Sequence, residues 1–125
     1  MKNDGLDKNY TAEAVIAPYR IAKFGATDSV VAQAAAATDL LIGVTGKVSA
    51  TVIGERVDVS RSGIREVEYG GAVARGATLT ADASGRAITA APAAGSNVRT
   101  IGVAEVSGVL GDIGSLLIVP GSMQG

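Results

Sequence analysis

Short segments in which apolar and polar residues alternate recur along the chain, separated by turns rich in glycine. The segment 56–59 alternates strictly, and the apolar run 116–119 is too short for a helix and is followed by Pro120 and Gly121. Such patterns are typical of strands. The predicted strands are 19–24, 29–33, 42–44, 47–52, 56–59, 64–69, 76–80, 85–89, 98–106 and 114–119. The chain is therefore predicted to be mostly β, as a small β-sandwich or barrel.

The segment 29–37 is where a helix competes with a strand. Its four consecutive alanines have the highest helix propensity, and Asp28 or Ser29 could cap a helix here. The paired valines Val30 and Val31 favour a strand, and so short a run is not stable as an isolated helix. We therefore predict a strand at 29–33.

One β-unit is predicted to occur twice in the chain. Ile42-Gly43-Val44 recurs as Ile101-Gly102-Val103, and after a similar interval the segment 54–59 stands where 114–119 stands in the second copy. Upstream, 31–37 parallels 88–94. These matches predict an internal pseudo-repeat, although chance similarity is the alternative in a chain so rich in Ala, Gly and Val. The positions predicted to point inward are Val48, Ala50, Val52, Ile101, Val103, Leu117 and Val119.

The first eighteen residues differ from the rest of the chain. They are polar up to Asn9, and Pro18 biases Ala17 away from the helical region. We predict an extended N-terminal arm at 1–18 and a single β domain at 19–125. Alone the arm is expected to be mobile, because its few apolar residues cannot offset the backbone entropy lost on ordering.

Composition limits the partners of this protein. Hydrophobic residues make up 47% of the chain but aromatic residues only 3%, so the core is aliphatic and thin, which favours packing against other subunits. A net charge of −1 provides no positive surface for phosphate backbones, and no nucleic-acid partner is predicted. The N-terminal sequence resembles neither a signal peptide nor a membrane span, so we expect synthesis in the cytoplasm and no membrane partner.

The chain contains neither cysteine nor histidine, which removes the commonest metal ligands, general base and thiol nucleophile. Serine hydrolysis would need a Ser-Lys pair, for which Ser29 with Lys23 and Ser49 with Lys47 are nearest in sequence. Neither pair lies in a motif. No catalytic residue, cofactor or metal is predicted, and we expect a structural or binding protein rather than an enzyme.

Two acidic patterns have simpler explanations than chemistry. Glu66 and Glu68 share one face of a strand, and a solvated face or an intersubunit salt bridge to Arg61, Arg65 or Arg75 is favoured over paired catalytic carboxylates. Charges on both faces of 64–69 indicate an edge strand or a contact surface. The segment 82–85 has too few ligands for calcium and instead predicts a hairpin turn.

The order of several segments resembles the capsid decoration, or cement, proteins of tailed bacteriophages. The similarity covers about 19–121 and is carried by the segments 23–28, 34–44, 76–87 and 101–104, and by Gly111-Asp112 before a terminal hydrophobic strand. It implies a small β-rich protein on the outside of a phage head, usually trimeric, that clamps neighbouring major capsid subunits after the shell expands. No catalytic residue is carried over, and 1–18 matches no family pattern.

A contact surface for the major capsid protein or a neighbouring copy is predicted from the arm and the charged strand. The candidate contact residues are Leu6, Lys8, Tyr10, Val15, Ile16, Tyr19, Arg65, Glu66, Glu68 and Tyr69. The competing hypothesis is a soluble β-barrel module that binds a small ligand or a peptide strand in a cellular complex. A hydrolase fragment using Ser and Lys is a weaker one.

Overall fold

The computed structural model describes residues 6–47 and 50–125, and its regular structure in these ranges is entirely β. Ten strands occur there: β1 (Asp7–Ala12), β2 (Ile21–Phe24), β3 (Val30–Gln33), β4 (Leu41–Thr45), β5 (Arg56–Ser60), β6 (Ile64–Glu68), β7 (Thr78–Ala81), β8 (Ala87–Thr89), β9 (Asn97–Ala104) and β10 (Ile113–Gln124). The predicted fold class is confirmed.

The strands form two units of the same topology. The first lobe, β1 to β5, is a closed barrel in the order β1-β3-β2-β4-β5, with β1 parallel to β3 and antiparallel to β5. The second lobe, β6 to β10, is a sheet in the order β6-β10-β9-β7-β8. Followed around the barrel in the opposite direction from β1, the first lobe has the corresponding order β1-β5-β4-β2-β3. The predicted internal repeat is therefore present, and it includes five strands rather than two.

The strand register confirms the repeat at the Ile-Gly-Val motif. Ala22 of β2 lies opposite Gly43 of β4, and Leu79 of β7 lies opposite Gly102 of β9. A Cβ on either glycine would overlap a backbone carbonyl of the strand that follows, β5 or β10. Glycine is therefore needed at both places for the strands to approach.

The closure of the barrel also has a counterpart in the second lobe. In the first lobe Ala12 pairs in parallel with Val31, which joins β1 to β3. In the second lobe Tyr69, just after β6, forms a single parallel bridge with Ala87 of β8. The second lobe thus approaches closure at one bridge, while the first lobe closes through a pair of strands.

The predicted alignment of the last strand of each repeat was wrong by three residues. The true counterpart of Gly54 is Gly111, because both occupy the turn before the strand with positive φ, 87° and 89°. The spacing from the Ile-Gly-Val motif predicts Gly114 as this counterpart instead. Since side chains alternate with a period of two, a shift by an odd number of residues exchanges the two faces of the strand.

The faces of β10 are accordingly the reverse of the prediction. Leu116 and Ile118 are buried, while Leu117 is 39% exposed and Val119 is exposed. In the neighbouring strand β9, Ile101 is buried as predicted, although Val103 is only half-buried.

Two hydrophobic cores follow from the alternation along β2 and β4. The first core fills the barrel and consists of Tyr10, Ala12, Ile16, Ala22, Val31, Ile42, Ala50, Val57 and Val59. The second core lies between the second lobe and the outer face of β2 and β4, and its largest members are Ile21, Leu41, Val44, Val67, Tyr69, Leu79, Ile101, Leu116 and Ile118. Every residue of β4 is buried, so this strand is the shared wall between the lobes.

The predicted strand at 47–52 is not formed by the described residues 50–52. Ala50 is buried as predicted and accepts a hydrogen bond from Ile16 N through its carbonyl, but Val52 is 57% exposed. The backbone N of Thr51 donates instead to the carboxylate of Glu55, which bends the chain. Val48 and Ser49 lie outside the described residues.

The N-terminal segment is extended, as predicted, but from Asp7 onward it is part of the barrel. Strand β1 pairs with both β3 and β5, and Tyr10 and Ile16 are buried in the first core. Without β1 the facing edges of β3 and β5 would be unpaired, and the barrel would lose its largest side chain. The expectation of a mobile arm is therefore wrong for 7–16. Residues 1–5 of the predicted arm lie outside the described residues.

Other local predictions are confirmed. The segment 30–33 is a strand, and Asp39 accepts hydrogen bonds from Ala35 N and Ala36 N, which turns the alanine run instead of letting it continue as a helix. Strand β6 lies at an edge of the second sheet. Strands β7 and β8 form a hairpin whose turn is closed by Gly85 N donating to Asp82 O at 3.2 Å.

Candidate interaction surface

Three of the predicted contact residues, Tyr19, Arg65 and Glu66, line one open groove where the two lobes meet. Its volume is about 460 Å³. The remaining lining residues are Asp7, Val44, Thr45, Gly46, Lys47, Asp58 and Ser60. Both acidic and basic side chains line the groove, and Arg65 pairs with Asp7 at 3.2 Å. A groove of this kind suits polar contact with a protein surface better than capture of an apolar ligand.

Tyr19 holds an unusual backbone conformation at this groove. Its φ is 58°, in the left-handed region, where its counterpart in the second lobe is Gly76 with φ 92°. A side chain in this region costs about 1–2 kcal/mol. The conformation is held by two hydrogen bonds, from Tyr19 N to Gly46 O at 3.1 Å and from Glu68 N to Tyr19 O at 2.9 Å. These bonds hold the backbone of Tyr19, a half-buried residue, at the junction of the lobes.

Glu68 forms ion pairs at the junction of the lobes. Its carboxylate lies 3.0 Å from Nη1 of Arg20 and 2.7 Å from Nε of Arg86, the second contact being an ion pair rather than a well-aligned hydrogen bond. The predicted basic partners were other arginines, on a neighbouring subunit. Glu68 instead finds both partners within the chain, one from each lobe, whereas Glu66 is exposed.

Three of the predicted contact residues are buried within the chain. Tyr10 accepts a 2.6 Å hydrogen bond at its hydroxyl from Arg61, Ile16 fills the barrel, and Tyr69 packs in the second core. Their burial corrects the prediction that they lie at a contact surface. The sequence suggested exposure because Tyr10 and Tyr69 each have charged neighbours in sequence. Their rings are buried only through the pairing of strands that are distant in sequence.

Tyr69 is the residue whose ionisation is most affected by the fold. Its hydroxyl donates to Val106 O at 2.6 Å and lies 3.4 Å from Ser115 O. Burial raises the pKa of Tyr69, and the nearby carboxylate of Asp112 raises that pKa further, while the backbone contact at Ser115 partly opposes them. This tyrosine therefore acts as a neutral hydrogen-bond donor inside the core.

Apart from Glu66, the exposed members of the predicted set lie on the first lobe. Leu6 and Val15 are exposed, and Nζ of Lys8 lies 5.1 Å from the centre of the Tyr10 ring. Lys8 also borders a second open groove of about 450 Å³, whose other lining residues are Tyr10, Phe24, Gly25, Ala26, Thr27, Asp28 and Ser29.

Of the two candidate Ser-Lys pairs, the structure describes both members only of Ser29 with Lys23. Lys23 forms an ion pair with Asp39 at 3.5 Å, and Ser29 lies in a turn with φ 62°. Ser49 lies outside the described residues. Within 6–47 and 50–125, no group of three or more acidic side chains could hold a metal ion. The described part of the chain contains no helix that is long and apolar enough to cross a membrane.

Two exposed turns are absent from the predicted set of contact residues. Val52 and Ile53 protrude from the turn before β5, and Val109 and Leu110 protrude from the turn before β10. The available signal was the repeat of Val-Ile-Gly-Glu at 52–55 as Val-Leu-Gly-Asp at 109–112. This repeat is visible only when Gly54 is aligned with Gly111, whereas the predicted alignment pairs Gly54 with Gly114.

Comparison with known proteins agrees with this architecture. No curated protein matches the chain. A solved structure, the head fiber gp8.5 N base of bacteriophage phi29, is similar with a TM-score of 0.67 and 19% identity over 91% of this chain and 93% of that chain, which shows a shared fold. The family model described as phage cement protein matches residues 3–108. Because this match covers most of the sequence, the chain belongs to the phage cement protein family and is a structural protein associated with the phage capsid.

Proposed function

We propose that this protein binds the major capsid protein on the outer surface of a phage head, stabilises the capsid lattice, and does so as a homotrimer without catalytic activity. The observation that carries this proposal is the cement-family match over residues 3–108. Synthesis in the host cytoplasm, followed by attachment to the assembled shell, is part of the same proposal.

The geometry supports action through surfaces rather than through an internal site. The side chains of Tyr10 and Ile16 are packed inside the barrel as part of its hydrophobic core. The two grooves are open to solvent and lined by side chains of both charges. A rigid β body with polar, open surfaces is suited to holding neighbouring subunits in place.

The proposed contact surface combines the exposed members of the predicted set with the half-buried Tyr19 and Arg65, which line the groove between the lobes. It consists of Leu6, Lys8, Val15, Tyr19, Arg65 and Glu66, which lie on the first lobe and around the groove between the lobes. Exposed apolar side chains here provide buried area on binding, and the charged groups provide orientation.

Binding to capsids tests the proposal directly. Purified protein is mixed with expanded phage heads that lack it, the heads are sedimented, and the bound fraction is measured as protein concentration rises. We expect saturable binding, a higher temperature of head disruption when decorated, and a mass of three chains by light scattering. Unexpanded heads serve as the matched control.

Three results would contradict the proposal separately. Absence of binding to heads would remove the capsid role, and a monomer in solution and on heads would remove the trimer. Tight binding of a peptide in the groove between the lobes, without any capsid binding, would favour a binding module instead.

A further inference from the structure

Each lobe presents one turn whose apolar side chains point into solvent. The first tip is residues 51–55 and the second tip is residues 108–112. Val52 and Ile53 of the first tip are 57% and 74% exposed, and Val109 and Leu110 of the second tip are 60% and 62% exposed. These are among the most exposed large apolar side chains in the described ranges.

The first tip is a rigid turn. Gly54 N donates to Ala12 O at 2.8 Å, and Ala12 N donates back to Glu55 O at 2.9 Å, which fastens the turn to the end of β1. The carboxylate of Glu55 accepts a hydrogen bond of 2.6 Å from Thr51 N.

The second tip repeats this construction. Gly111 N donates to Tyr69 O at 2.9 Å, and Tyr69 N donates back to Asp112 O at 2.8 Å. The carboxylate of Asp112 accepts a 2.9 Å hydrogen bond from Val109 N. Both tips are therefore held by the same backbone contacts and by a carboxylate at the same place.

The fold does not explain why the tips are apolar. Glycine in the left-handed conformation and the acidic residue after it are sufficient to form each turn. Two adjacent exposed apolar residues add little to the core, and an exposed apolar feature commonly marks an interaction site. The apolar pair is present in both lobes, although corresponding buried positions differ, for example Ala12 in the first lobe and Tyr69 in the second.

We propose that the two tips are equivalent anchors, each seated in the same apolar pocket on one of two adjacent copies of the capsid subunit, so that a single chain bridges them. This inference rests on the proposed capsid binding. A shell built from identical copies offers one pocket repeatedly, and a chain with a duplicated anchor matches such a partner. Two linked weak contacts then reach an overall affinity about 10²–10⁴-fold above either contact alone.

The test compares serine variants of the tips on heads that lack this protein. One variant carries Val52→Ser and Ile53→Ser, a second carries Val109→Ser and Leu110→Ser, and a third carries all four. We expect each two-residue variant to bind heads at least about 100-fold more weakly than the unmodified chain, and the four-residue variant to bind more weakly still.

Matched controls show whether the loss is specific to the tips. Leu40→Ser changes a half-exposed apolar side chain away from either tip and is expected to bind heads normally. Melting temperature and solution mass of every variant are expected to match those of the unmodified chain.

Each contrary outcome has a distinct meaning. An unmodified chain that fails to bind heads overturns the capsid role and the bridging anchors together. Normal binding by the unmodified chain and by all tip variants overturns the anchors alone. A loss confined to one tip overturns the bridge between two subunits, and a change of oligomeric mass shows that the tips join copies of this chain instead.

Discussion

The ring of Tyr69 occupies the space that the missing side chain of Gly114 leaves on strand β10. A Cβ on Gly114 would overlap the end of this ring, whose hydroxyl donates to Val106 O. At the corresponding places the first lobe has Ala12 and Val57. The two lobes thus fill similar volumes in different ways. The first lobe combines the small side chain of Ala12 with the medium one of Val57, whereas the second combines the large ring of Tyr69 with a glycine, Gly114.

Gly114→Ala is expected to destabilise the protein, because the added methyl group must displace a ring held on all sides. We expect a loss of about 1–3 kcal/mol in the free energy of unfolding, measured by urea denaturation at one fixed protein concentration. Gly71→Ala is the control, since a Cβ there meets nothing within 4 Å. Equal midpoints for the two variants would show that the ring does not depend on Gly114.

Leu116→Ala and Leu117→Ala separate the two faces of β10. Leu116 is fully buried and Leu117 is 39% exposed. The first substitution should lower the free energy of unfolding by about 2–5 kcal/mol, whereas the second should lower it by less than about 1 kcal/mol. Both substitutions remove the same side-chain atoms, so thermal melts of the two variants can be compared directly. A larger loss of stability at Leu117 would instead support the register predicted from sequence.

Tyr69→Phe should alter how stability depends on pH. Because the pKa of Tyr69 is raised in the folded protein, its contribution is fully present below its unfolded value of about 10 and is lost as pH rises through the folded value. The free energy of unfolding should therefore fall more steeply above about pH 10 in the unmodified chain than in the variant. If the free energies of unfolding of the two proteins ran parallel from pH 8 to 11, the raised pKa of the buried Tyr69 would be contradicted.

Glu68→Gln should loosen the junction of the lobes, because Arg20 and Arg86 would face each other without a carboxylate between them. The side chains are partly exposed, so we expect a loss of only about 1–2 kcal/mol, smaller at high salt. Glu66→Gln is the matched control on the same strand and should change the midpoint of denaturation little. A similar loss of stability for both substitutions would show that Glu68 contributes no more to the junction of the lobes than Glu66 does.

Much of the architecture follows from local patterns. The alternation along 56–59 predicted strand β5, and its valines are buried and its charged residues exposed. The Ile-Gly-Val motif identified two strands in equivalent positions, because at each a side chain would overlap the next strand. The buried face of β10 was predicted wrongly. Alternation shows which residues of a strand share a face, but not which of the two faces is buried, and the alignment of Gly54 with Gly114 chose the face of Leu117 instead of that of Leu116.

The sequence by itself determined that the chain is β-rich and duplicated, and that it lacks cysteine and histidine. Its resemblance to cement proteins agrees with the family match. Only the tertiary structure decided that β1 closes the barrel and that Tyr10 and Tyr69 are buried while Ile53 and Leu110 are exposed. Periodicity is a local property of the backbone, whereas burial depends on which distant strand completes the sheet, and that pairing is a property of the whole chain.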